Sequence, residues 1–378
     1  MFFFIAGFII ATACSVITIK TLVGYSDMKL IYKISAAIVI VLGWFSFIIM
    51  GIIRKHELLP LEVYTVVHNV LYTLLGFVFI LFVVIMLRDI VWYTIFGIAK
   101  LLKIDGWHID PKNISLLGKA NLIVVSFSVL LSIYALYKGL KLPTVNEEFI
   151  YSSKVNSNLR IIQLSDLHIT RATPVSRIAK IVNQVNLLNP DVIVLTGDTI
   201  DDNPTLVEKQ LNVLKELSAP YGIYSIMGNH EFYNDVYAAK RALDAYGFKF
   251  LFNGGFHINN SNVFIAGIPD LGTMVDRVNF WRTLNNTKKD NYNVLLSHAP
   301  SILDSLSGGI VDLVLSGHTH GGQIFPFHIM VKQANGYLAG KYSLNKTDMF
   351  ISRGVGTWGP PMRLFAPSDI TIINLLRK

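Results

Sequence analysis

The sequence is poor in cysteine and in charge. Cys14 is the single cysteine among 378 residues, so no intrachain disulfide can form and cysteine usage carries no information about redox compartment. Charged residues make up 15% of the chain and apolar ones 52%, a balance that excludes a simple soluble enzyme. Internal repeats and low-complexity tracts are missing as well. Lys and Arg outnumber Asp and Glu by 33 to 25, which suits a surface near anionic headgroups. No Arg/Lys-rich motif with interleaved aromatics accompanies that excess, so no nucleic-acid partner is expected.

What the chain does have is apolar length. Residues 2–19, Ile34–Ile53, Val63–Leu87 and Ala120–Tyr137 carry no charge. Each is long enough, or nearly so, to cross a hydrocarbon core of about 30 Å as a helix. The fourth is the shortest and contains Ser126, Ser128 and Ser132. The first lacks the basic start of a signal segment, and its Ala-Thr-Ala-Cys14 run faintly resembles a lipoprotein processing site without the usual leucine. Basic residues gather around the first loop (Lys20, Lys29, Lys33) and the third (Arg88, Lys100, Lys103, Lys112, Lys119). The other side has Arg54, Lys55, Lys138, Lys141 and Lys154. The bias predicts a multi-pass protein of the cell membrane with loops one and three in the cytoplasm and both termini outside. Between the third and fourth runs, Val91–Leu102 reads as an amphipathic stretch along the interface, with Trp92, Tyr93 and Trp107 at headgroup level.

Past residue 140 the character changes. Residues 141–157, with Pro143 and Asn146, read as a polar linker, and 158–378 as one catalytic domain. Leu159–Leu164 reads as a strand, Pro174–Leu188 as a helix, Val192–Leu195 as a strand and Thr205–Leu217 as an amphipathic helix. Short strand-like runs follow at Ile223–Ile226, Val263–Ile265, Val294–Leu296, Val311–Leu315, Met349–Ile351 and Ile370–Ile373. This alternation predicts a layered α/β domain with two packed sheets.

Metal-ligand residues stand repeatedly where apolar runs end. The first run leads into Ser165-Asp166-Leu167-His168, the second into Gly197-Asp198 with Asp201 and Asp202 beyond, and the third into Gly228-Asn229-His230-Glu231. Later runs lead into Ser297-His298-Ala299-Pro300 and Gly317-His318-Thr319-His320-Gly321-Gly322. Half of the ten histidines fall in these clusters. A carboxylate, imidazole and amide set suits hard or borderline divalent ions rather than thiolate-type zinc. Two ions sharing one carboxylate would clamp the entering and leaving oxygens of a phosphoryl transfer.

The ordered set DLH, GD, GNHE, SHAP and GHTHGGQ resembles the calcineurin-like metallophosphoesterase superfamily, in particular its membrane-associated bacterial branch. The resemblance covers about residues 158–378 and implies a four-layer metallophosphoesterase β-sandwich flanked by helices, here preceded by a four-helix transmembrane region over residues 1–140. It further implies that Asp166, His168 and His320 hold one metal, that Asn229, His298 and His318 hold the other, and that Asp198 bridges them. His230 matches the family's catalytic histidine, with Glu231 expected to orient it. Arg363, after a Gly-rich run from Ile351 to Pro360, is expected either to contact a phosphate or carboxylate or to serve structure alone. Asp369 stands where relatives often have glutamate. The implied chemistry is attack by a metal-bound hydroxide on the phosphorus of a phosphodiester or pyrophosphate. Manganese is the first expectation for both ions, with Fe, Zn and Mg as alternatives. Four spans exceed what tethering requires, so membrane lipids or a lipid-linked substrate are the expected partners. Relatives of this kind include enzymes that split the pyrophosphate bond of nucleotide-linked acylated sugars. The rival expectations are a catalytically silent membrane sensor or scaffold, and a broad phosphodiesterase with no lipid preference. The oligomeric state is not set by the sequence.

Overall fold

The computed structural model describes the whole chain except Met1, Tyr25, Asp27, residues 105–109, Lys112, 275–276, 285–286 and 307–308. The expected interfacial Trp107 therefore lies outside the described residues. The chain divides into two compact units, Met1–Lys138 with Gly359–Met362, and Gly139–Trp358 with Arg363–Lys378.

The first unit is helical: α1 (Phe2–Ile19), continued by a π-helical turn at Lys20–Gly24, then α2 (Leu30–Lys55), α3 (Leu61–Leu101) and α4 (Ile114–Leu140, whose last two residues belong to the second unit). All four are long and apolar enough to cross a membrane, and they give the chain a multi-pass topology. Leu22, Val23, Ile40, Leu81, Ile85 and Val124 form a small shared core. Several helical hydroxyls are satisfied within their own helix, as Ser46 Oγ donates to the Leu42 carbonyl at 2.7 Å and Ser132 Oγ to that of Ser128 at 2.7 Å. Val91–Leu102 was expected as a separate interfacial stretch, but α3 runs through it without a break. No proline interrupts the chain there, and the helix continues through Gly97. The charge at Arg88 is met by Asp89 at 2.6 Å and by the Asn121 side chain. At 41 residues the helix is about 60 Å long, twice the usual hydrocarbon thickness of about 30 Å.

The second unit holds two six-stranded sheets. One contains β1 (Thr144–Ser152), β2 (Leu159–Leu164), β3 (Val192–Thr196), β4 (Ile223–Ile226) and β5 (Lys249–Phe250), and is completed by β12 (Asp369–Arg377), in the order β1-β12-β2-β3-β4-β5. The other contains β6 (Gly254–His257), β7 (Val263–Gly267), β8 (Tyr292–Leu296), β9 (Leu313–Ser316), β10 (Gly340–Leu344) and β11 (Thr347–Ile351), in the order β10-β11-β9-β8-β7-β6. Helices α5 (Val175–Leu187), α6 (Glu208–Leu214), α7 (Asn229–Tyr233) and α8 (Val236–Ala245) follow strands of the first sheet. Short helices α9 (Leu271–Met274) and α10 (Phe280–Leu284), and the longer α11 (His328–Asn335), accompany the second.

Three apolar layers account for the stacking. Ile161, Val192, Val194 and Ile226 of the first sheet face Val263, Ile265, Val294 and Leu315 of the second. The alternate residues Ile162, Leu164, Ile193 and Leu195 turn outward onto Ile178, Val182, Leu211 and Leu243 of the helices. A third cluster, including Phe264, Leu295, Val314 and Ile302, covers the far face of the second sheet. The result is the expected four-layer α/β sandwich. Every residue of β3, β7 and β8 is buried, because each of these strands is covered on both faces.

The polar linker turned out to hold a strand. β1 pairs with β12 in parallel from Thr144↔Asp369 to Ser152↔Arg377. It is an edge strand with one face open, so Asn146, Glu147 and Glu148 are tolerated there. The amphipathic segment expected over Thr205–Leu217 is shorter than predicted: a 3₁₀ turn at Pro204–Leu206 precedes α6.

Candidate metal centre

Strands β2, β3 and β4 are parallel neighbours, as are β7, β8 and β9. Their carboxyl ends open on one edge of the sandwich, where ligand groups gather in open α/β sheets. Asp166 and His168 follow β2, Asp198 follows β3, Asn229 and His230 follow β4, His298 follows β8, and His318 and His320 follow β9. All are buried or nearly so.

Three overlapping groups each bring their ligand atoms within 4.8 Å of one another: Asp166, His168 and His320; His168, Asp198 and His230; and Asp198, His298 and His318. On one side His168 Nε2 and His320 Nε2 are 2.9 Å apart, with Asp166 Oδ1 3.5 Å from the latter. On the other, His298 Nε2 lies 3.3 Å from His318 Nδ1 and 3.2 Å from Asp198 Oδ2. Asp198 Oδ2 is also 3.8 Å from His168 Nε2 and 4.0 Å from His230 Nε2, and thus belongs to both sides. The other carboxylate oxygen, Oδ1, accepts the backbone N–H of His230 at 2.9 Å.

The residues fit a pair of divalent ions. His168 Nδ1 pairs with Asp201 Oδ1 at 2.8 Å and His298 Nδ1 with the Thr196 carbonyl at 2.8 Å. Each arrangement leaves Nε2 with its lone pair facing the cluster. Asn229 Nδ2 donates to the Tyr233 hydroxyl at 3.1 Å, whereas Asn229 Oδ1 is buried with no hydrogen-bond partner. A buried unpaired acceptor is costly and is what a metal ligand looks like in the protein alone. The donor set is nitrogen and oxygen only, as hard or borderline ions prefer. Two glycines make room for it. A Cβ on Gly228 would lie 2.2 Å from Asp198 Oδ1, and one on Gly317 2.3 Å from Asp166 Oδ2.

The electrostatics follow from burial opposed by pairing. Burial alone would raise Asp198, but His298, His230 and His168 hold it well below the usual carboxylate range. Burial would likewise depress His230, yet the carboxylates of Asp201 and Asp198 lift it to about 9. His320 is driven well below the ordinary imidazole value by burial and by the neighbouring His168 and Arg363.

One expectation needs correction. Glu231 does not orient His230. Its carboxylate accepts four backbone N–H groups, from Gly228 at 2.9 Å, Asp198 at 3.2 Å, Thr199 at 2.6 Å and Ile200 at 2.9 Å. It holds the turn that carries Asp198. The residue beside the imidazole is Asp201, whose Oδ1 lies 2.9 Å from His230 Nδ1 and also serves His168. The sequence shows Asp201 three places after Asp198, but not which side chain it meets. For Arg363 the contacts are those of the structural one of its two expected roles. It is 1% exposed and donates to the carbonyls of His320, Arg353, Gly354, Gly356 and Ala366 at 2.5–3.3 Å. It fastens the Gly-rich segment behind His320. Asp369 anchors the same segment through Ser352 Oγ at 2.7 Å and the Arg353 N–H at 3.0 Å.

A two-sheet α/β sandwich with a shared carboxylate between two clusters of imidazoles defines a binuclear metal-dependent hydrolase. The family model described as calcineurin-like phosphoesterase matches residues 159–322. An uncharacterised metallophosphoesterase of Campylobacter jejuni is 36% identical over 262 residues, which is 66% of this chain and 69% of that one. One from Helicobacter pylori is 34% identical over 285 residues, 73% and 75% of the two chains. A zebrafish (Danio rerio) transmembrane protein with metallophosphoesterase domain is 29% identical over 274 residues, 68% and 63% of the two. The chain belongs to the calcineurin-like metallophosphoesterase superfamily, and it carries the metal-binding motif of a metal-dependent phosphoesterase.

Proposed function

We propose that the protein hydrolyses a phosphodiester or pyrophosphate bond of a membrane lipid or lipid-linked substrate, and that it stands with the membrane-associated bacterial members of its superfamily. In this reading residues 1–140 are the membrane region and 158–378 the catalytic domain, with β1 added to its edge. Asp166, His168 and His320 would hold one ion, Asn229, His298 and His318 the other, and Asp198 would be shared between them. The observation that carries the reading is the position of Asp198 Oδ2, within 3.2–4.0 Å of His298, His168 and His230.

When bound, two ions neutralise the phosphoryl oxygens and lower the pKa of a coordinated water; manganese is the first choice. The chain's own part is to place the proton. Asp201 and Asp198 lift His230 to about 9, so its imidazole is held as the cation: Nδ1–H donates to Asp201 and Nε2 carries a second proton toward the reacting centre. As water oxygen bonds to phosphorus and the P–O bond to the leaving group breaks, His230 Nε2–H protonates the departing oxygen. Glu231 and Arg363 act through the backbone by holding the turns that carry Asp198 and His320. The four membrane-length helices favour a substrate that resides in the bilayer, and the basic bias of loops one and three favours an external catalytic domain.

The test is hydrolysis by the full-length protein in detergent with Mn²⁺, comparing a lipid-linked pyrophosphate, a glycerophospholipid and an aryl phosphodiester. Selective turnover of one lipid, lowered about 10²–10⁴-fold by His230→Ala, is expected. Turnover of the aryl diester alone would remove the lipid half of the proposal, and no turnover with any divalent ion would remove the rest.

A further inference from the structure

Close to the metal centre the second unit exposes side chains that a soluble surface would bury. Phe325 is 40% exposed, Ile329 60%, Met330 61% and Phe365 75%. They lie on two segments tied together. Leu364 N donates to the Gln323 carbonyl at 2.8 Å, Phe325 N to the Leu364 carbonyl at 3.2 Å, and the Phe325 and Phe365 rings meet edge-on at 5.8 Å. Helix α11, which carries Ile329 and Met330, has no buried residue at all. Phe365 has φ +61°, a left-handed backbone that a bulky residue adopts rarely and at a cost. The chain thus accepts strain while presenting an aromatic ring to solvent, and such outliers point to function. Both segments are fixed to the site, since Arg363 holds the His320 carbonyl two residues before Phe365.

We propose that Phe325, Ile329, Met330 and Phe365 form a projection that inserts into the surface of the lipid bilayer and seats the mouth of the metal centre there. Aromatic and large aliphatic side chains on a protruding tip match the interfacial zone of a membrane, and Lys332 on the same helix suits anionic headgroups. The bilayer is favoured over a protein partner by how the chain enters this unit. The end of α4, a membrane-length helix, belongs to it: Arg177 of α5 donates to the carbonyls of Gly139, Leu140 and Lys141 at 2.6–3.4 Å. Only Lys141, Leu142 and Pro143 then precede β1, so no long tether separates the unit from the membrane. The proposal rests on the multi-pass membrane reading and not on which bond is cleaved.

The experiment uses the full-length protein with Cys14→Ser, reconstituted in phosphatidylethanolamine–phosphatidylglycerol vesicles. Ile329→Cys, Phe365→Cys and, as an exposed polar control, Glu216→Cys each carry a nitroxide. Power saturation compares collision with oxygen, which partitions into lipid, and with a water-soluble nickel chelate. Labels at 329 and 365 are expected to prefer oxygen, and the label at 216 to prefer nickel. Ile329 has ordinary helical backbone, so it reports even if the change at 365 perturbs its loop. Nickel preference at both sites overturns the proposal. Dilution-sensitive spin–spin broadening also overturns it and assigns the patch to a second copy. If no lipid is hydrolysed while the labels prefer oxygen, the substrate reading falls and the docking surface stands.

Discussion

The two units of this protein satisfy their polar groups in opposite ways. In the membrane helices many hydroxyls turn back to the carbonyl four residues before them, as those of Thr12, Thr18, Ser35, Ser46 and Thr65 do. The metal centre instead joins residues remote in sequence. Asp198 and Glu231 are linked across 33 positions, His298 and Thr196 across 102, and His318 and Asp166 across 152. The Arg88, Asn121 and Thr21 chain is one place where the helical unit also works at long range. Local satisfaction makes a helix that tolerates substitution one residue at a time. Satisfaction across the fold makes a site in which each group depends on several others.

The sharpest way to break this contrast is Asp198→Ala. It removes the one carboxylate common to both clusters, so both ions should be lost by elemental analysis and turnover should fall to background. Retention of two ions per chain would show that the halves of the site are independent. Asp201→Asn keeps the shape and removes the charge beside His168 and His230. Turnover at saturating metal should drop about 10–100-fold, with the circular dichroism of the helices unchanged.

Asp369→Asn tests a long-range polar group away from the ions. Burial raises the Asp369 carboxyl above its unfolded value, against the pull of Ser352 and Arg353. Its contribution to stability is therefore fully present below the unfolded pKa and is lost as pH rises through the folded one. Thermal unfolding in detergent should show a cost of about 1 kcal/mol, largest at the acidic end and narrowing toward neutrality. The smallest effect is expected for Ser46→Ala in α2, about 0.6 kcal/mol or less, with activity unchanged. A larger loss there would mean that the helical unit is less local in its polar bonding than it looks.

The legibility of the sequence divides along related lines. Long uncharged runs announce α1 to α4, and strands covered on both faces announce β2, β3, β4, β7 and β8. The candidate metal ligands were legible because each follows the end of an apolar strand, with a glycine adjoining Asp198, Asn229, His318 and His320. β1 was not, because an edge strand keeps one polar face and reads as a connection. Glu231 was misread because neighbours on a helix point about 100° apart. Adjacency to His230 gives it the amides of the preceding turn rather than the imidazole. Arg363 was legible only as a choice between anion contact and a structural role, because the sequence does not show that five carbonyls of a tight loop take up its terminal N–H groups. Asp201 was visible as a residue but silent as a partner, since its two histidines arrive from β2 and β4.

One feature of the backbone bears on how such a centre can vary. Asp166, His168, Asp198, His318 and His320 all have positive φ, between 47° and 71°. Asp, Asn and His are the side chains that best tolerate this conformation after glycine, and they are also ligands for hard and borderline ions. The geometry of the strand ends thus narrows the alphabet of residues before any metal arrives. Glutamate and cysteine, equally able to bind metals, are poorly suited to these corners. The choice of ion is therefore biased by the shape of the peptide chain as much as by the chemistry of its side groups.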